Sequence, residues 1–455
     1  MENKLLHYKP MGGNLGDCFP LYANNKYYIY YLNLKDNGTF VWSVIISDDL
    51  ININTEKDIL LPGDFDSFDQ TLLSGCVFYD NGIFHAFYSS YGKNKRYNIM
   101  EATSIDGINF IKNNNILFEP NKSYEKLDTW RDPEIYYENG VYHMIFCAKE
   151  APDNKHIYSG CIGYATSTDL KTWKLKKPLY SPVLATTLEC PDLFKLNDKY
   201  ILSYYWHDTK YRISTKLNSG YKKNAISSPT NFDFMAAKAL QDEKRVIEFG
   251  WIPRKNCDCA ERNWGGVLAI PKEIYFNKKN EIVCKFVDEI YHIFNKEKPY
   301  SLITISGNKT EIKNQIVINS CNDGSLFKFD SNLPKYLLSS KIKVSTLNSQ
   351  IIFFIKCNSD LTNGYQVIFD FSANQLFIRE QYRWDQRPNI ASMPLKIKKN
   401  VDFSFEMVVN HDILEICIDK EQSLSFRMLK YTEQNGIALA VQDTKITLTD
   451  LKIYK

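Results

Sequence analysis

The sequence predicts an all-β protein, a five-bladed β-propeller followed by a C-terminal antiparallel β-sandwich. Three observations carry this. Aromatic-rich hairpins recur at near-constant spacing through the first 250 residues, the repeat gives way near residue 296 to longer alternating strands, and helical signals are few throughout. The 455 residues include 30 Tyr, 27 Phe and 7 Trp, types that favour strands.

The repeat is read directly. YANNKYYIYYL at 22–32, YDNGIFHAFYS at 79–89, YENGVYHMIFC at 137–147 and KLNDKYILSYYW at 195–206 are hairpins with Asn/Asp/Gly/Lys turns, and QDEKRVIEFGW at 241–251 is a looser fifth copy. The markers Lys26, Gly82, Gly140, Lys199 and Arg245 are separated by 56, 58, 59 and 46 residues. A second motif keeps phase: SVIISDDL at 43–50, ATSIDGINF at 102–110 and ATSTDLKTW at 165–173, each a strand, a tight Ser/Asp turn and another strand. Two hairpins per period make four strands per unit, and five such units close into a ring that leaves few exposed edges. Solenoid repeats are shorter and carry leucine or helix signatures absent here.

The propeller is expected over residues 1–295 and the sandwich over 296–455. The second region contains SQIIFFIKC, GYQVIFDFSANQLFIRE and FSFEMVVNHDILEICIDK, with turns at Asn363-Gly364, Ala373-Asn374, His411-Asp412 and Asn435-Gly436. No catalytic constellation is visible in it, and a supporting or sugar-binding module is expected.

Composition excludes other classes. A formal charge of +3 is too balanced for a nucleic-acid binder. Gly and Pro together are about 8% of the chain, which excludes collagen-like and disordered readings. No apolar run approaches the roughly 18 residues of a membrane helix. The start, MENKLLHYKP, lacks a secretory pattern, so a cytoplasmic protein is expected. The 11 cysteines are scattered and odd in number, so reduced thiols are expected rather than a disulfide framework. Cys257-x-Cys259 has no second Cys/His pair at zinc spacing, so no metal is expected.

The innermost strands of a propeller converge on its central channel. Eight to ten positions before the hairpin markers stand Asp17 (LGDCFP), Ser74 (LLSGC), Asp132 (WRDPE) and Glu189 (LECPD), separated by 57, 58 and 57 residues. One such Asp would be a turn residue or a partner of Arg131. Three acidic residues in register on converging strands repel one another, which points to use rather than structure. Converging carboxylates in an aromatic funnel suit glycoside cleavage, with one carboxylate attacking and a second, protonated, donating to the leaving oxygen. No cofactor is implied.

These residues resemble glycoside hydrolase family 32, the invertase, sucrose-6-phosphate hydrolase and fructanase group, which has a five-bladed propeller and a β-sandwich. Trp130-Arg131-Asp132-Pro133 is similar to the family's RDP motif, Glu189-Cys190-Pro191-Asp192 to its EC motif, and Ser74-Gly75 to its Ser-Gly-Ser segment. Trp42 with Ser47-x-Asp49-Leu50, Phe234 through Lys238, Phe249-Gly250-Trp251, Trp264 through Leu268, and the sandwich strand Ile413–Asp419 also resemble family segments. The resemblance implies that Asp17 is the nucleophile, Glu189 the general acid/base and Asp132 the transition-state stabiliser. Arg131 would orient Asp132 and reach the sugar or the acid/base, and Ser74 and Trp42 would line the terminal-sugar subsite; Trp42 equally suits the propeller core, Arg131 a role of neutralising its neighbours, and Ser74 the start of a strand. The chain departs from the family at Gly16, where Asn usually precedes the nucleophile, at Leu32, where Gln is usual, and at Leu188, where Trp is frequent.

The function expected is a retaining hydrolase that releases terminal β-fructofuranosyl units from sucrose, sucrose phosphate or short fructo-oligosaccharides. Alternatives are a hydrolase or transglycosylase for another furanoside, and a non-catalytic carbohydrate-binding propeller. The partner expected is a small saccharide, with no nucleic acid or membrane, and the protein a monomer or homodimer.

Overall fold

The computed structural model describes residues 4–124, 129–151, 159–226, 228–256, 261–320, 324–383 and 385–455. Two compact units are present: residues 1–228, 234–252 and 264–283 form one, and residues 229–233, 253–263 and 284–455 the other. Cys257 and Cys259 lie outside the described residues.

The first unit is the propeller. Blade one comprises Gly13–Ala23, Lys26–Lys35, Phe40–Ser47 and Thr55–Leu60; blade two Thr71–Asp80, Ile83–Tyr91, Tyr97–Ser104 and Ile111–Ile116. Blade three comprises Arg131–Glu138, Val141–Lys149, Gly160–Ser167 and Lys174–Leu175; blade four Glu189–Leu196, Lys199–Trp206, Asp208–Ser214 and Lys222–Lys223. Blade five is built on Met235–Gln241, Val246–Lys255, Lys272–Phe276 and Ile282–Phe286. Arg262–Leu268 joins blade five to blade one in a single sheet, with Leu15 opposite Gly266, and so closes the ring.

Local chemistry explains the repeat. Asn24-Asn25, Asn81-Gly82 and Asn139-Gly140 all have positive φ, the paired left-handed residues that a two-residue hairpin turn requires. Gly82 and Gly140 therefore belong to the turns, and the second strands open one residue later. The Ser/Asp motifs form Asx turns: Asp49 Oδ1 accepts from the N–H groups of Ile51 (2.9 Å) and Asn52 (2.8 Å), Asp106 from Ile108 (2.9 Å) and Asn109 (2.8 Å), and Asp169 from Lys171 (2.9 Å) and Thr172 (2.7 Å). These bonds to the ionised form hold all three carboxyls below the usual carboxylate range. Aromatic residues fill the seams between blades: Phe19, Tyr30, Trp42 and Tyr88 lie in one buried cluster, and Phe87, Tyr124, Trp130 and Phe146 in the next.

The second unit has an eight-stranded and a seven-stranded sheet. Their strands alternate buried and less buried residues, as in Lys335–Val344 and Gln350–Cys357. A core of Phe327, Phe353, Phe369, Phe405, Leu439 and their neighbours results. A short segment, Thr230–Phe232, adds itself in parallel to the edge strand Gln422–Arg427. Among the described residues no helix is long and apolar enough to cross a membrane.

Candidate active site

Each inner strand of the propeller breaks its ladder near the same level. The register shifts between Gly16 and Cys18, Leu72 and Gly75, Arg131 and Glu134, Glu189 and Asp192, and Met235 and Lys238. A bulge unpairs one or two residues and re-aims their side chains, and bulges favour the neighbourhood of active sites. Asp17, Asp132, Cys190 and Ala236 occupy the same bulge position and all have positive φ, at 30°, 58°, 45° and 47°. Such non-glycine conformations cost about 1–3 kcal/mol each and persist only where the surroundings impose them.

The bulges refine the register read from spacing. Asp17 and Asp132 are equivalent, but Glu189 stands one residue before the bulge position of its blade, level with Arg131 and Gly16, and Ser74 one residue after that of its own. A bulge alters local phase without changing the spacing between hairpins, so counting residues could not separate these positions.

Two groups of hydrogen bonds between them involve all five blades. Ser74 Oγ donates to Asp17 Oδ2 at 2.5 Å, and Trp251 Nε1 donates to Asp17 Oδ1 at 3.1 Å, so both carboxylate oxygens are held. The N–H of Asp132 donates to Ser89 Oγ at 2.6 Å, and the N–H of Cys190 donates to Asp132 Oδ2 at 3.0 Å. Arg131 Nη2 donates to Glu189 Oε1 at 2.6 Å, while its Nε lies 3.6 Å from Asp132 Oδ2. Arg131, Asp132 and Glu189 thus form one group, Asp17, Ser74 and Trp251 a second, and electrostatics joins them.

Burial pushes the Asp17 carboxyl up to about 6; the charges of Asp132 and Glu189 add to this, and the Ser74 and Trp251 bonds oppose it. Burial also raises Glu189, helped by the Asp132 charge and opposed by the Arg131 guanidinium. Both carboxyls are thus shifted toward the protonated form, and only Glu189 has a cationic partner, Arg131, that opposes the shift. The neighbouring thiols are inert by the same physics: burial pushes Cys147 up to about 12 and Cys190 well above its usual value.

The N-terminal domain family described as glycosyl hydrolases family 32 matches residues 7–285. The chain belongs to glycosyl hydrolase family 32. It is 24% identical over 340 residues to raffinose invertase of Escherichia coli, covering 67% of this chain and 68% of that one. It is 28% identical over 337 residues to sucrose-6-phosphate hydrolase of Zymomonas mobilis, covering 66% of this chain and 65% of that one. These matches therefore span about two thirds of each relative's length. Among solved structures, sucrose-6-phosphate hydrolase from Lactobacillus gasseri has the same fold, with a TM-score of 0.77 at 18% identity, covering 99% of this chain and 92% of that one.

In this family 32 propeller one expected site residue is elsewhere. Trp42 is fully buried, packs on Phe19 at a ring-centroid distance of 4.2 Å and donates from Nε1 to the carbonyl of Leu73 at 2.8 Å. It is core beneath the site, supporting the segment that carries Ser74, and not a subsite wall. Its strand residues Val41–Ser47 are all buried, so the two faces are not distinguishable by polarity.

Two aromatic residues of the last blade take the place next to Asp17. Trp251 bonds to it, and Trp264 lies 5.6 Å from Trp251 by ring centroids and covers Gly16. Trp251 pairs with Met235, the last ladder residue before the fifth bulge, and that in-phase position was the available signal for it. Among the described residues no group of three His, Cys, Asp or Glu side chains could hold a metal ion.

Proposed function

We propose that this family 32 enzyme is a retaining β-fructofuranosidase that releases terminal fructosyl units from sucrose, sucrose phosphate or short fructo-oligosaccharides. The observation that carries the reading is the pairing of an Asp17 carboxylate fixed at both oxygens with a Glu189 carboxyl raised by burial. The names of the relatives, invertase and sucrose-6-phosphate hydrolase, support the substrate class.

Asp17 attacks the anomeric carbon while Glu189 gives its proton to the leaving oxygen, which forms a fructosyl ester. Glu189, now ionised beside Arg131, takes a proton from water, and that water opens the ester. Asp132, held by the Cys190 N–H, accepts from sugar hydroxyls as charge develops on the ring, and Arg131 orients both Asp132 and Glu189. Ser74 fixes the attacking oxygen's partner atom so that the nucleophile meets substrate in one rotamer.

The propeller unit is read as the catalytic domain and the sandwich unit as a supporting one, with the division near residue 284 rather than 296 and residues 229–233 and 253–263 belonging to the second unit. A cytoplasmic enzyme acting on a small saccharide is further supported by the eight described cysteines, all of them buried and none in a disulfide. Hydrolysis of sucrose, its 6-phosphate, inulin and levan oligomers and aryl arabinofuranosides by the purified protein tests the reading. Release of fructose is the expected result, and activity confined to the arabinofuranosides would replace fructose as the substrate.

A further inference from the structure

A second cluster of charge, from blades three, four and five, lies along the inner strands one ladder step beyond the bulges. The residue that resumes pairing after the bulge is Gly75 in blade two, Glu134 in blade three, Asp192 in blade four and Lys238 in blade five. Lys238 is 2% exposed, and its Nζ donates to the Gly75 carbonyl at 2.9 Å, the Pro133 carbonyl at 3.2 Å and Glu134 Oε2 at 2.9 Å. Asp192 Oδ2 accepts from the N–H of Ala239, the next residue, at 2.6 Å. One ammonium group thus ties blade five to blades two and three, and one carboxylate ties blade four to blade five.

Taking a lysine out of water costs several kcal/mol, and only a full set of acceptors offsets it. Here that set is complete, since three donors meet three acceptors. Its two carbonyl acceptors are not generic. Gly75 directly follows Ser74, which holds Asp17, and Pro133 directly follows Asp132. The Gly75 site is also rigid: a Cβ there would lie 2.0 Å from the Phe87 carbonyl oxygen, so this backbone is pressed against the neighbouring strand.

We infer that Lys238 is a positioning residue: by gripping the carbonyls of Gly75 and Pro133 it sets where Ser74 and Asp132 stand about the reacting carboxyls. The inference rests on the reading of Asp17, Asp132 and Glu189 as the reacting set. It separates two functions of one side chain. The bond to Glu134 neutralises buried charge, whereas the bonds to the carbonyls fix the geometry of the bulges. Glu134→Gln removes only the former, and Lys238→Met removes both.

The test compares the two variants in the full chain, by sucrose turnover and by crystal structure. Lys238→Met is expected to lower kcat by about 10- to 100-fold with KM for sucrose changed less than about twofold, since small misplacement of reacting groups costs that much. Glu134→Gln is expected to keep kcat within about threefold of the native protein, because Nζ still holds both carbonyls. In the Lys238→Met crystal structure the Ser74–Asp17 bond should lengthen beyond hydrogen-bonding distance. Equal loss of kcat in both variants, or a Lys238→Met structure with the Ser74–Asp17 bond unchanged, overturns the inference. If Lys238→Met does not fold, Lys238→Gln, whose amide nitrogen ends one bond short of Nζ with only two hydrogens for three acceptors, carries the same two readings. A native protein inactive on sucrose would count against the fructosidase reading alone, and the crystal structure would still decide the role of Lys238.

Discussion

The indole of Trp264 fills the space beside Gly16 into which a side chain would project. A Cβ at residue 16 would lie 2.5 Å from Cζ2 and 2.7 Å from Cη2 of that ring. The ring is itself held, edge-on to Phe40 at 4.8 Å and against Trp251 at 5.6 Å, so it cannot yield cheaply. The residue before Asp17 is therefore glycine for a steric reason, and an apolar ring stands where a side chain at residue 16 would otherwise project.

Gly16→Asn should consequently destabilise the propeller by about 1–3 kcal/mol, the usual cost of overpacking. Trp264→Ala in the same chain should restore part of that loss, because it opens the space. Urea unfolding of the two single variants and the double variant gives the coupling directly. Additive losses would mean that the ring and residue 16 do not compete.

Asp17→Asn should remove turnover and raise stability. The native carboxyl is shifted from 3.8 up to about 6, so ionised Asp17 opposes folding by up to about 3 kcal/mol. The sign follows from the raised value: the penalty is absent below about pH 4, grows between 4 and 6, and is complete above. The melting temperature of the variant relative to the native protein should thus rise from pH 4 to pH 7. The gain will fall short of the full figure, since an amide cannot accept from both Ser74 and Trp251 at its nitrogen. A difference independent of pH would show that Asp17 is not shifted.

The same carboxyl sets the acid limb of the rate profile. Turnover needs Asp17 ionised and Glu189 protonated, so kcat/KM on sucrose should fall below about pH 6 and fall again at higher pH as Glu189, raised by burial, loses its proton. A profile flat from pH 4 to 9 with chemistry rate-limiting would contradict these roles.

Much of this was legible in the sequence, because hairpin turns and Asx turns write their chemistry locally. Asn81-Gly82 and Asn139-Gly140 announce turns by residue type alone, and their spacing counts blades. That count singles out Asp17, Ser74, Asp132 and Glu189 as candidates. What was not legible depends on bulges and on strand faces. The one-residue offset of Glu189 relative to Asp132 arises from a ladder break that spacing does not record. Trp42 sits on a strand buried on both faces, so its identity as core emerges only from packing. Trp264 and Lys238 reach the site from the last blade, which joins the first by a strand with no counterpart in the repeat.

The most direct test of the account is to trap the ester on Asp17. Glu189→Gln lacks the proton donor, a loss worth roughly 10²–10⁴-fold, but an aryl β-fructofuranoside needs no proton to leave, so the first step should remain fast while hydrolysis of the ester stalls. Mass spectrometry of this variant mixed with that substrate should show a burst of the aryl alcohol and one fructosyl unit on the peptide that contains Asp17. The added Asp17→Asn substitution should abolish both. A fructosyl unit on a different peptide, or continued turnover by the Asp17→Asn protein, would contradict the assignment of Asp17 as the nucleophile.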